Sequence, residues 1–205
     1  MELKTFVKVG NISNLSDARY CAGMGVHLLG FNLDDGNDSI GPDMFREISG
    51  WLAGTAFAGE FEHSSLEHII NISTSLELDF VQVNTVDLAN NLSERFQVIF
   101  KIEMADLDDF TTVLSNIQEL DKRIKYVLIE SDSDDLSSDI DELLSSLSTD
   151  IPILKGYNVT EHNILASLDK FNISGIALKG SVEIRPGFKD YDELADILEA
   201  LEVED

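Results

Sequence analysis

A chain of 205 residues with an apolar fraction of 43% is long enough to bury one substantial core. Its 39 acidic against 14 basic residues leave a net charge of −25, which sets long-range repulsion against DNA, RNA and acidic membrane as partners. The lone cysteine, Cys21, excludes an internal disulfide and a cysteine metal cluster, and no apolar run reaches the roughly 20 residues that span a bilayer.

The opening MELKTFVKVG lacks the basic-then-apolar pattern of a secretory signal, so a cytoplasmic location is expected. TFVKV (5–9) reads as a first strand. Ser13 or Asn14 can cap the helix after it, which carries Leu15, Ala18, Cys21 and Ala22 on one face. HLLGFN (27–32) is a second strand, and Pro42 suits the first turn of the following helix. TAFAGEF (55–61) is a third, with Ser64 or Ser65 capping what comes next. DFVQV (79–83) is a fourth, followed by the short, polar DLANNLSERF, the weakest helix of the set. QVIFKIE (97–103), YVLIE (126–130), IPILK (151–155) and GIALK (175–179) complete the strands. Thr160 can cap the helix after the seventh, with Glu161 and His162 in its first turn. The last helix, in DYDELADILEALE, carries Leu194, Ile197, Leu198 and Leu201 on one stripe.

Near-continuous apolar strands alternating with amphipathic helices predict an α/β fold with a parallel sheet covered on both sides. Eight such units match a small (β/α)8 barrel, a TIM barrel forming a single domain over residues 1–205; a doubly wound open sheet is the competing architecture. In a barrel, function sits on the loops that follow the C-terminal strand ends. The acidic runs DLDD (106–109), ESDSDD (130–135) and EVED (202–205) read as solvated surface. ESDSDDLSSD lacks the glycine and closing glutamate of a calcium loop, and His27, His63, His68 and His162 have no metal spacing. No metal and no cofactor are expected.

Several stretches, taken in order, resemble the phosphoribosylanthranilate isomerase family of tryptophan biosynthesis. KVGNISNLSDARYCAGMGVHLLGF is similar to that family's K-[VI]-C-G opening with its following D-A and A-G-[AV]-D-x-[LI]-G-[FL]. GEFEHSSLEHI resembles G-[VL]-F-[VA]-N-x5-[IV], DFVQVNT resembles D-x-V-Q-L-H-G, and SVEIRPGFKD resembles G-V-E-x-x-P-G-x-K-D. The resemblance implies an Amadori rearrangement, which needs a general acid at the ring oxygen and a general base at the sugar C2.

The chain departs from that pattern where the chemistry would lie. The family's base, the cysteine of K-V-C-G, is replaced by Gly10, and Asn11 stands where the next glycine would be. Cys21 is expected in the core face of the first helix. The resemblance places the acid at Glu130 in VLIES, where the family has aspartate; the bland alternative for Glu130 is an exposed acid in an acidic loop. The phosphate-binding G-G-[TS]-G becomes DSDDLSSD, A-G-G-L becomes KGYN (155–158), and D-[VL]-S-S-G becomes ALKGS (177–181). A family arginine matches Asp38, the histidine of Q-L-H-G matches Asn84, and Gln82 remains. His63 falls at the family's asparagine after strand three and is a weak candidate base; a surface or capping role is its alternative.

Four of the 14 basic residues lie in or at the ends of strands: Lys8, Lys101, Lys155 and Lys179. Lys8 shares parity with Gly10 and should point inward. Lys155 and Lys179 end strands where such barrels hold phosphate, so a lysine pair there, with Gly180, Ser181 and Arg185, could take an anion. The alternative is internal pairing with Glu60, Glu62, Glu103, Glu130 or Glu183. Tyr157 either covers a pocket or packs against its loop.

The expectation is a divergent isomerase-like barrel without the standard reaction, binding a small anionic or phosphorylated metabolite at the C-terminal mouth, as a monomer or homodimer without nucleic acid or membrane partners. One alternative is an active isomerase with Glu130 as acid and His63 or Glu103 as base. Another is a non-catalytic interaction scaffold.

Overall fold

The structure, a computed structural model, describes residues 1–34, 39–105, 109–131, 137–147, 149–180, 183–185, 188–189 and 191–203. Eight strands run in parallel: β1 (Phe6–Gly10), β2 (Leu28–Asn32), β3 (Ala56–Glu60), β4 (Phe80–Val83), β5 (Gln97–Glu103), β6 (Tyr126–Glu130), β7 (Ile153–Gly156) and β8 (Gly175–Lys179). They pair in chain order, and β8 pairs back onto β1 from Phe6 opposite Gly175 to Gly10 opposite Lys179. That closing ladder decides for the barrel over the open sheet.

The helices are α1 (Leu15–Gly23), α2 (Gly41–Ser49), α3 (Leu66–Ser75), α4 (Val86–Leu92), α5 (Asp109–Glu119), α6 (Ser137–Ser146), α7 (Ile164–Lys170) and α8 (Asp192–Ala200). A short antiparallel pair, β9 (Glu183–Arg185) and β10 (Phe188–Lys189), separates β8 from α8. Among the described residues no helix is long and apolar enough to cross a membrane.

Strand alternation splits the core in two. Leu28, Ala58, Phe80, Ile99, Leu128, Leu154 and Ala177 point inward and fill the barrel, with Phe6, Ala56 and Tyr126 packed against them. Their neighbours Leu29, Val81, Phe100, Val127, Ile153 and Ile176 face the helices. Both faces are apolar because both are covered, which is why the strands read as continuous runs.

Of the alternative caps, Asn14 accepts from the Asp17 amide at 3.0 Å and Ser65 from the His68 amide at 3.3 Å. Pro42 sits in the first turn of α2. Thr160 is not a cap: a turn over 161–163 intervenes, holding Glu161 and His162, and α7 starts only at Ile164. That turn brings Ile164 into the core as the first helical residue. Leu194, Ile197, Leu198 and Leu201 are all buried, as is Cys21 on the inner face of α1. Asp17, also buried, accepts from the Tyr191 hydroxyl and so ties α1 to the start of α8.

Candidate functional site

The mouth of the barrel is built on the last inward-facing residue of each strand. On β1, Lys8 points inward as parity requires; it is 1% exposed and ion-paired with Glu60 at the end of β3. The other Glu60 oxygen accepts the Asn11 amide at 2.9 Å. Asn11 has φ 57°, a left-handed conformation that glycine or asparagine tolerates better than other residues.

Two glycines make the bed for this carboxylate. A Cβ on Gly10 would lie 2.6 Å from Glu60 Oε1 and 2.8 Å from Lys8 Nζ. A Cβ on Gly30 would lie 2.2 Å from the same Glu60 oxygen. Glu60 therefore occupies the space that a side chain at position 10 would need. An acidic residue at inward parity, facing glycines on the two preceding strands, was the sequence signal for this arrangement.

A second ionic group crosses the mouth. Lys101 on β5 donates to Glu62 at 2.7 Å and lies 3.5 Å from Glu130 and 3.7 Å from Glu103. Burial would push the Lys101 ammonium down, but the Glu62 bond and the charges of Glu130, Glu62 and Glu103 outweigh it and hold the group protonated above its ordinary range. Glu130 is 8% exposed and lies against Gly156, where a Cβ would meet its Cγ at 2.8 Å. It is a buried member of the mouth rather than an exposed acid in an acidic loop. Gln82, opposite Glu60 in register, is 5% exposed, and its Oε1 has no hydrogen-bond partner among the described residues.

The expected anion-binding lysines are not brought together. Leu154 takes the inward position of β7, so Lys155 turns outward into the helix layer. There its ammonium bonds Asp141 of α6 at 2.5 Å and lies 3.8 Å from the Tyr157 ring centre. Burial pulls the Lys155 ammonium below its ordinary value, and Asp141 offsets part of that. The Tyr157 hydroxyl donates to the same carboxylate at 2.7 Å, so this tyrosine is buried against α6 rather than covering the mouth or packing on its own loop. Lys179 is exposed at the rim, and the Gly180 amide donates to the Gly10 carbonyl at 2.8 Å. Ser181, Asp38 and the side chains of Glu183 and Arg185 lie outside the described residues, as does most of DSDDLSSD. His63 is exposed, and only its amide is engaged. Among the described residues no group of three or more His, Cys, Asp or Glu side chains could hold a metal ion.

One organising residue escaped the sequence reading. Asp34, just after β2, accepts the amides of Glu62 at 2.8 Å, His63 at 3.2 Å and Ser64 at 3.0 Å, and the Ser64 hydroxyl at 2.7 Å. Burial would raise this carboxyl, but the Ser64 hydroxyl and the three amides hold it below the usual carboxylate range. The loop that carries Glu62 is thus pinned to the end of β2. Asp34→Ala should lose about 1–2 kcal/mol in urea unfolding at neutral pH. A depressed folded pKa stabilises fully above the unfolded value of about 4 and is lost as pH falls through the folded value. Asp34→Asn should accordingly show a shallower acid-side loss than the parent.

No protein-family model matches the chain, and no curated protein matches it. Solved structures do. The phosphoribosylanthranilate isomerase of Thermotoga maritima superposes with a TM-score of 0.76 at 20% identity, covering 96% of this chain and 98% of that one. The Thermus thermophilus enzyme gives 0.73 at 19% identity, and that of Thermococcus kodakaraensis 0.75 at 13%, each with the same 96% and 98% coverage. This chain therefore has the fold of the phosphoribosylanthranilate isomerases over nearly its whole length.

Proposed function

We propose that this protein is a divergent relative of the phosphoribosylanthranilate isomerases that does not perform their rearrangement and instead binds a small polar metabolite at the barrel mouth. The observation that carries this reading is the Lys8–Glu60 pair in the space of the missing base side chain, with Glu60 Oε1 2.6 Å from where a Cβ at position 10 would stand. The anion expected from the lysines finds Lys8 and Lys101 engaged by carboxylates and Lys155 turned away. One matched structure holds reduced 1-(o-carboxyphenylamino)-1-deoxyribulose 5-phosphate. A ligand of that kind carries a carboxylate and a phosphate, and this mouth offers its inner lysines to neither.

Freshly generated phosphoribosylanthranilate, followed by loss of its fluorescence, tests the proposal. No turnover above the uncatalysed background is expected. A second reading rests on the same geometry: Glu60 stands in for the cysteine as base, opposite Glu130 as acid. It is better placed than His63, which is exposed, or Glu103, whose side chain is 59% exposed. Turnover that vanishes in both Glu60→Gln and Glu130→Ala would establish that second reading and sink the first.

A further inference from the structure

Among the described residues, the mouth carries more negative than positive charge. Two ammonium groups, Lys8 and Lys101, face four carboxylates, Glu60, Glu62, Glu103 and Glu130. Glu60 is satisfied by Lys8 and the Asn11 amide. The other three carboxylates share the single ammonium of Lys101, at 2.7, 3.5 and 3.7 Å. A lysine has three protons to give, but its one charge leaves this group with an excess of two negative charges. Burial raises the cost of that excess at Glu130, which is 8% exposed, whereas Glu62 and Glu103 stand at the exposed rim.

A second observation concerns hydrogen bonding rather than charge. Gln82 projects from β4 into the same interior, between Glu60 on β3 and the strand that carries Lys101, and it is nineteen-twentieths buried (5% exposed). Its Oε1 accepts nothing from any described residue. A buried carbonyl without a donor costs about 1–3 kcal/mol, and a bound group that donates to it would recover that cost. Charge and hydrogen bonding thus ask for the same kind of partner: a donor, positively charged.

We propose that the group entering this barrel is a primary ammonium on a small hydroxylated ligand of the amino-sugar or amino-polyol class, held by Glu130, Glu103 and Glu62 with a hydroxyl donating to Gln82 Oε1. A carboxylate or phosphate at this depth would meet the buried Glu130 carboxylate and the Gln82 acceptor, with Glu62 and Glu103 at the rim above them. The proposal rests on the mouth being the binding site, as argued above, and adds the chemical class of what it takes.

Glucosamine, glucose and glucuronate test it, because they share a ring and differ in charge. Binding is read by calorimetry and by the shift of the Gln82 side-chain amide resonance, assigned through its loss in Gln82→Leu. Glucosamine should bind at least tenfold more tightly than glucuronate, with glucose between, and should move the Gln82 signal. Glu130→Gln should weaken glucosamine about tenfold, whereas Lys101→Met should tighten it, since removing the lysine deepens the negative site. An anion site would show the opposite sign in both variants, so one of them failing to fold leaves the other decisive. Glucuronate binding as well as glucosamine, or no response to glucosamine at millimolar concentration, would overturn the inference. Turnover of phosphoribosylanthranilate would overturn the reading of the mouth on which it rests, and the two failures are distinct.

Discussion

Glu60→Ala is expected to lose about 3–5 kcal/mol of stability, the largest single effect among the mouth residues. The loss has a definite origin. Lys8 is 1% exposed, so removing its partner strands a buried ammonium in the barrel interior. Lys8→Met should cost less, because Glu60 sits nearer the opening, with 13% side-chain exposure, and keeps the Asn11 amide. The double variant Lys8→Met/Glu60→Ala should be more stable than the sum of the single effects by about 1–3 kcal/mol, since the stranded charge is gone. Urea unfolding of the four proteins measures this cycle. Strict additivity would mean that the pair does not exist in solution.

Gly10→Cys, which restores the family's residue, should destabilise by about 3 kcal/mol and restore no isomerase activity. The new Cβ would stand 2.6 Å from Glu60 Oε1 and 2.8 Å from Lys8 Nζ, so both charged ends must shift to admit it. Gly30→Ala makes the same demand from the neighbouring strand, with its Cβ 2.2 Å from that oxygen and 3.1 Å from the Gly10 Cα. Both substitutions should be markedly milder in the Lys8→Met/Glu60→Ala background, where the obstructing carboxylate is absent. Equal penalties in both backgrounds would move the cause from Glu60 to the backbone.

The barrel was legible because its determinants are local. Residues 97–103, 126–130 and 175–179 read as strands from their β-branched and apolar content and are strands in the structure. Asn14 and Ser65 cap helices because a short polar side chain next to an apolar run has few other uses. Thr160 misled for the same reason: a cap-like residue precedes the helix, but burying Ile164 moved the helix start downstream. Lys155 misled differently. Its position at a strand end suggested the mouth, while alternation from the inward Leu154 turns it to Asp141 and the helices.

The mouth itself was less legible, because it depends on contacts between residues far apart in the chain. Glu60 was one of several carboxylates that might pair with a lysine; only the closed barrel brings it 52 residues back to Lys8 and lays it over Gly10 and Gly30. Glu62 from the loop after β3 and Glu130 from β6 converge on Lys101, joined by Glu103 of its own strand, and Asp34 reaches the Glu62 amide across 28 residues. By itself the sequence determined the alternation of strands and helices and the barrel it implies, since period and propensity are properties of the chain. The tertiary structure alone decided that Glu60 lies over Gly10 and which carboxylates share Lys101, since ion pairing and steric exclusion arise only once distant strands are side by side.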